Sequence, residues 1–235
     1  MIAFAVSAGF AQRSANYSIT NYNIGNGLAT NKIHHAAQDS LHRMWFATGY
    51  GISIYDGFKW ENIHLIDNQN DAGFKKIIFD RRGNTWLLPV VSNHHIKIDK
   101  GKGWEDLLIA PGSPVEPELI NDGDLLYSKG KPVLLIVTAK NLYIMISNKW
   151  IRLPVKEETY RCVEAFGDSF FLAGEEGLSV LKIGDNGKPV ITKGLAGINT
   201  PILATRHIVK KSSSPAILVL GHGWAGEIAG GKLVK

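Results

Sequence analysis

A single cysteine stands among the 235 residues, so no intrachain disulfide and no thiolate metal cluster can form. Cys162 sits among Val163, Ala165 and Phe166, which marks it as a small buried apolar group rather than a nucleophile. Long apolar runs are missing as well: no stretch approaches the roughly 20 apolar residues that a membrane-spanning helix needs. No window carries a sustained apolar period of about 3.6 residues, so little helix is expected. Charge of one sign is scarce. The net charge of +5 is modest for this size, and Lys75, Lys76, Arg81, Arg82, Lys210 and Lys211 fall in separate segments, as solvated turns and strand edges would place them. A nucleic-acid face is therefore not expected. The hydrolase elbow Gly-x-Ser-x-Gly, the zinc motif His-Glu-x-x-His and the phosphate loop Gly-x-x-x-x-Gly-Lys-Ser/Thr are absent too, leaving no catalytic constellation and no expected cofactor.

What the chain has in quantity is glycine and aromatic residues. Its 25 glycines, against six tryptophans, seven tyrosines and nine phenylalanines, suit tight turns joining short strands with bulky side chains, and so an all-β protein. With 45% apolar and 20% charged residues, a sizeable core is available and disorder is not expected. Residues Met1 to Ala11 are apolar or small and end in Gly9-Phe10-Ala11, which suits signal-peptidase cleavage before Gln12 and predicts export. A basic n-region is missing, so either the start lies upstream or this is an apolar leader.

The informative feature is a repeat. Asp39-Ser40-Leu41-His42-Arg43-Met44-Trp45 and Asp80-Arg81-Arg82-Gly83-Asn84-Thr85-Trp86 share an Asp, a polar turn and a Trp, and they start 41 residues apart. A period near 40 residues is the size of four short strands with their turns, one blade of a β-propeller. The first unit reads as strands at Ile33 to Gln38, Met44 to Thr48, Ile52 to Tyr55 and Trp60 to Leu65. Asp56-Gly57 lies between the last two as a type I′ hairpin signal. The second reads as Phe74 to Phe79, Thr85 to Leu88, Ile96 to Asp99 and Trp104 to Leu108. More degenerate units begin at Leu119, Tyr160 and Ile202, giving blades at about 33–65, 74–109, 118–155, 160–193 and 202–235, with the last running out before it is complete. A lone four-stranded sheet cannot bury both faces, so neighbouring blades must cover them. Trp45 and Trp86 are expected as wedges between sheets, each burying about 150–250 Å². Asp39 and Asp80 are expected to accept backbone N–H bonds in the turns that follow them.

Gly25-Asn26-Gly27-Leu28-Ala29-Thr30-Asn31-Lys32-Ile33, Gln38-Asp39, Trp45-Phe46-Ala47-Thr48 and Gly51-Ile52-Ser53-Ile54-Tyr55-Asp56-Gly57 together resemble the regulator-propeller repeat. That repeat occurs in periplasmic sensor regions of two-component histidine kinases, particularly in Bacteroidetes-type bacteria. The likeness is specific over residues 17 to 65, fair over 74 to 109 and weak beyond. His42 stands where the repeat usually has glycine, Gly83 keeps it, and Phe170 is the nearest substitute for the tryptophan that the third and fourth units lack. The resemblance implies a fragment of about four to five four-stranded antiparallel blades from a seven-bladed propeller, periplasmic and truncated before a membrane span and a kinase. Its partners would be the remaining blades or sensor domains of the same protein, a second copy, or an oligosaccharide or other small ligand. Tyr17 to Tyr22 is the candidate for a ring-closing strand. The alternative function is a propeller lyase or glycosidase, or a scaffold without signalling.

The remaining candidates for chemistry read as structural. His34-His35 and His94-His95 are adjacent pairs whose rings would point to opposite strand faces, one packed and one solvated, forming no chelate. Asn121-Asp122-Gly123-Asp124 lacks the alternating ligands and closing glutamate of a calcium loop and reads as a polar turn. Glu175-Glu176 lies on a hairpin between glycines, without the apolar pocket that glycosidase chemistry requires.

Overall fold

The computed structural model describes residues 19–65, 73–109, 117–155, 160–194, 202–208, 216–221, 224–229 and 232–234. Met1 to Ala11, read above as a leader, lie outside the described residues. Five four-stranded antiparallel sheets follow one another along the chain. The first holds β1 (Ile33–Gln38), β2 (Met44–Thr48), β3 (Gly51–Tyr55) and β4 (Trp60–Ile63), and the second β5 (Phe74–Phe79), β6 (Thr85–Pro89), β7 (His95–Asp99) and β8 (Trp104–Leu108). The third comprises β9 (Ile120–Ser128), β10 (Lys131–Thr138), β11 (Asn141–Ile146) and β12 (Lys149–Pro154). The fourth comprises β13 (Cys162–Phe166), β14 (Ser169–Gly174), β15 (Gly177–Ile183) and β16 (Pro189–Lys193). The fifth runs through β17 (Ile202–Ile208), β18 (Ala216–Gly221), β19 (Trp224–Ala229) and β20 (Lys232–Val234), so the last repeat has all four strands rather than stopping partway. Within each sheet the strands pair in sequence order, and the first strands of successive sheets pack in series, β1 on β5, β5 on β9, β9 on β13 and β13 on β17. This is a β-propeller with the first strands around its axis.

Four hydrophobic clusters fill the four junctions between the five sheets. Trp45, Ile52 and Ile54 meet Ile77 and Leu87 at the first; Trp86, Leu88 and Ile98 meet Leu134, Ile136 and Tyr143 at the second. Leu135, Val137 and Ile144 meet Val163, Phe170 and Leu172 at the third, and Cys162, Ala173 and Leu178 meet Ile202, Ile217 and Val219 at the fourth. Trp45 and Trp86 are 6% and 4% exposed and face the following sheet; Trp45 lies edge-on to Phe79 at 5.4 Å. Burial on this scale stabilises each junction by at most about 4–6 kcal/mol per wedge. Phe170 is not their counterpart, because its ring turns back to the third sheet; Phe171 of the same strand is the residue that leans towards the fifth. A second series, Trp104 and Trp150 at the starts of β8 and β12, packs against the preceding sheet. Trp60, at the same place in the first sheet, stacks instead on Tyr55 at 4.8 Å and meets Tyr22 at 5.5 Å. Tyr17 and Ser18 lie outside the described residues, and Ile19 to Tyr22 form no strand.

Two turns differ from their reading. Tyr55 pairs with Trp60, so Asp56-Gly57 belongs to a four-residue loop in which only Gly57 has positive φ (101°) and Asp56 Oδ1 accepts from the N–H groups of Phe58 and Lys59. Among the described residues, the two-residue turns with both φ angles positive are Lys129-Gly130 (48°, 77°) and Ser147-Asn148 (50°, 62°). Asn121-Asp122-Gly123-Asp124 is not a turn at all: it runs through β9 next to the axis.

Candidate ligand site at the axis

Each first strand opens with an irregularity of register that sets the chemistry at the axis. Ile33 pairs with Thr48 but His35 with Ala47, leaving His34 as an extra residue; Phe74/Lys76 and Ile120/Asp122 leave Lys75 and Asn121 in the same way. Arg161 donates its N–H to Ala173 O at 2.8 Å while Cys162 is paired with that same Ala173, the same two-against-one count. A bulge takes one residue out of ladder alternation and re-aims its side chain.

The inner edge of a blade presents backbone groups that no strand pairs, and an edge left bare is costly. Side chains from the preceding blade cover it. At the first junction His34 Nδ1 bonds Phe74 O at 2.8 Å, as its donor, and His35 Nδ1 accepts from Ile77 N at 3.4 Å. Both rings are half-buried and directed at β5, because the bulge at His34 breaks the alternation that would have sent one to solvent. At the third junction Asn121 Nδ2 donates to Tyr160 O at 3.0 Å, Asp122 Oδ2 accepts from Val163 N at 3.0 Å and Asp124 Oδ2 from Ala165 N at 2.7 Å. The two carboxylates of the motif read as a turn thus cap alternate N–H groups of β13.

Lys76, expected at a solvated edge, is buried, and its ammonium donates to Asp122 Oδ1 at 2.8 Å. Burial opposes its charge, yet Asp122 and Asp124 outweigh that and raise the lysine pKa. Burial raises the Asp124 carboxyl despite Lys76 and two backbone donors. Gly123 lies between the carboxylates where a Cβ would come within 2.4 Å of Leu88 Cδ1 and 3.0 Å of Leu135 O.

The repeat residues build the opposite ends of the same strands. Asp39 Oδ1 accepts from the N–H groups of Leu41 and Arg43, both at 2.9 Å; its Oδ2 accepts from Arg43 Nε at 2.7 Å and Trp45 Nε1 at 2.9 Å. Asp80 Oδ1 accepts from Arg82 N and Asn84 N, and its Oδ2 from Asn84 Nδ2, Trp86 Nε1 and, across the junction, Tyr127 Oη at 2.6 Å. Burial opposes ionisation of both aspartates, but these donors together hold each carboxyl below its ordinary pKa. Tyr127, half-buried and bonded to Asp80, is pushed up to about 12 by desolvation and that bond. Each aspartate thereby fixes its turn and its own tryptophan wedge, a link that sequence reading missed although the six-residue spacing recurs. His42 and Gly83 occupy matching turn positions with φ of 62° and 81°.

Three bulge residues from three sheets, Lys75, Asn121 and Arg161, line one open cavity of about 480 Å³ with Leu119 and Ala139. Lys75 is half-buried, and nothing among the described residues pairs with its ammonium. Arg161 pairs with Glu175, whereas Glu176 pairs with Lys193 at 3.1 Å, so the two adjacent glutamates have separate cationic partners. Among the described residues no group of three His, Cys, Asp or Glu could hold a metal ion, and no helix is long and apolar enough to cross a membrane.

No protein-family model and no curated protein sequence matches the chain. Solved structures do. The extracellular domain of a protein described as a hybrid two-component system, BT3049 from B. thetaiotaomicron, superposes with a TM-score of 0.63 at 13% identity, over 92% of this chain and 31% of that one. A second such domain, BT4673 from the same organism, gives 0.56 at 14% identity, over 88% and 31%. Virginiamycin B lyase from Staphylococcus aureus gives 0.61 at 10% identity, over 86% and 69%. This chain therefore has the propeller fold of the extracellular regions of two-component sensors, a fold it shares with a lyase, and it spans about a third of the sensor domains' length.

Proposed function

We propose that this chain is part of the ligand-reading propeller of a periplasmic sensor in a two-component system. It binds a small ligand, an oligosaccharide being the favoured class, and passes the resulting rearrangement to a membrane-tethered histidine kinase. The observation that carries the reading is the cavity at the axis, where side chains from three consecutive blades converge on a fold shared with sensor extracellular domains. A ligand touching three blades at once is coupled to their relative placement, which is what a sensor requires. Fold likeness by itself does not assign function, so the test is genetic. Disrupting the gene is expected to abolish the transcriptional response of its host to one glycan class. An unchanged response to every glycan tested refutes the sensor reading.

The shared fold with virginiamycin B lyase favours a second reading, a propeller enzyme. Against it, Asp122 and Asp124 at the axis are committed to Lys76 and to backbone N–H groups, so neither is a free general acid or base. Release of products when the purified chain is incubated with plant or host glycans would overturn the binding-only reading.

A further inference from the structure

The cavity at the axis admits a more specific assignment, one that rests on the ligand-reading function proposed above. We infer that it binds a sugar carrying an oxyanion, a carboxylate or a sulfate, held between the Lys75 ammonium and the Arg161 guanidinium with the Asn121 amide between them. The position these residues share does not demand a cation. At the first and third junctions its occupants, His34 and Asn121, seal a carbonyl of the next blade at 2.8 and 3.0 Å. At the second junction the backbone does the sealing: Ile120 N donates to Val90 O and Ser92 N to Glu118 O, each at 2.8 Å, leaving Lys75 without that task.

Two cations thus face one cavity, and none of the described residues that line it is acidic; the carboxylate of Glu175 pairs with Arg161 alone of the two. Bringing like charges together is unfavourable unless a counter-charge is supplied, and a ligand oxyanion supplies it. The guanidinium offers a planar fork to a carboxylate or sulfate, and the ammonium a point charge beside it. Asn121 uses one amide N–H on Tyr160 O, so its Oδ1 remains to accept from a sugar hydroxyl. Leu119, 66% exposed at the cavity wall, gives the apolar face of a sugar ring a surface to lie on. The volume of about 480 Å³ falls in the range of small-molecule sites.

The test is calorimetric titration of the purified chain with galacturonate, galactose 6-sulfate, galactose and inorganic sulfate. At least one of the two acidic sugars is expected to bind, and galactose is not. Raising sodium chloride from about 50 to about 500 mM should weaken that binding in the unaltered protein, a measurement independent of any variant. Lys75→Gln and Arg161→Gln should each weaken it about tenfold, the worth of roughly 1.4 kcal/mol, while Lys129→Gln, on a turn away from the cavity, leaves it unchanged. Galactose binding as well as the acidic sugars, or affinity unaltered in both variants, overturns the assignment. So does binding of inorganic sulfate without either acidic sugar. A neutral glycan that binds Lys75→Gln normally and triggers the cellular response would remove this site while leaving the sensor reading intact.

Discussion

Replacing Asp80 by asparagine keeps the side-chain shape and removes the charge on which two blades are fastened. The aspartate accepts five hydrogen bonds, among them those of the Trp86 wedge at 2.9 Å and of Tyr127 in the next sheet at 2.6 Å. An asparagine oxygen can retain some of these, but the amide nitrogen that replaces the other oxygen accepts none. Hydrogen bonds to charged groups contribute about 1.5–3 kcal/mol each, and a buried donor left unsatisfied costs about 1–3, so Asp80→Asn should lose about 3 kcal/mol in urea unfolding. Asp39→Asn breaks only contacts within its own blade and should lose about half as much, roughly 1.5 kcal/mol. Because the folded pKa of Asp80 lies below its unfolded value, its contribution is full above that unfolded value. It fades as pH falls through the folded one, and wild type and variant should converge there. The Tyr127 phenol, near 12 in the native protein, should titrate closer to its ordinary range in the variant, since one of its causes is gone. A double-mutant cycle with Tyr127→Phe should show coupling above about 0.5 kcal/mol. Equal losses for the two aspartates, together with strict additivity in the cycle, would refute the cross-blade account.

Other outcomes follow from the same geometry. His42 holds a left-handed φ of 62° at the position where Gly83 sits at 81°. His42→Gly should therefore raise stability by about 1 kcal/mol and Gly83→His lower it by a similar amount, read as opposite shifts in thermal midpoint. Gly123→Ala drives a Cβ into Leu88 and the Leu135 carbonyl and should cost about 1–3 kcal/mol in chemical unfolding. Lys76→Met strands Asp122 among buried atoms and should cost about 3–5 kcal/mol, whereas Lys76→Met with Asp122→Asn should cost less than the sum of the single changes. With its folded pKa above the unfolded one, Lys76 contributes fully below about pH 10.5, and unfolding measured at rising pH should lose that contribution only beyond it.

The blade frame was legible because its signals are local. Asp, turn and Trp recur at fixed spacing, and β1, β2, β5 and β8 fall on their expected residues. Asp56-Gly57 misled because a strong two-residue turn signal was overridden by the pairing of Tyr55 with Trp60, which lengthens the loop. The axis was not legible. No residue type marks a bulge, so the aim of Lys75, Asn121 and Arg161 cannot be read from their neighbours in sequence. Asn121 to Asp124 looked like a turn because buried aspartates are rare in strands; here they serve N–H groups about 41 residues further on, a requirement that exists only once β13 lies alongside. Lys76 reads as a surface residue until Asp122 is placed beside it by a second blade.

The extra residue at the head of these first strands belongs to no rung of the ladder, so what it carries is not fixed by strand pairing within its own blade. His34, Lys75, Asn121 and Arg161 are four different chemistries in one slot. A lineage can rewrite what such a ring recognises one blade at a time, by point substitution, without renegotiating how a blade pairs its strands.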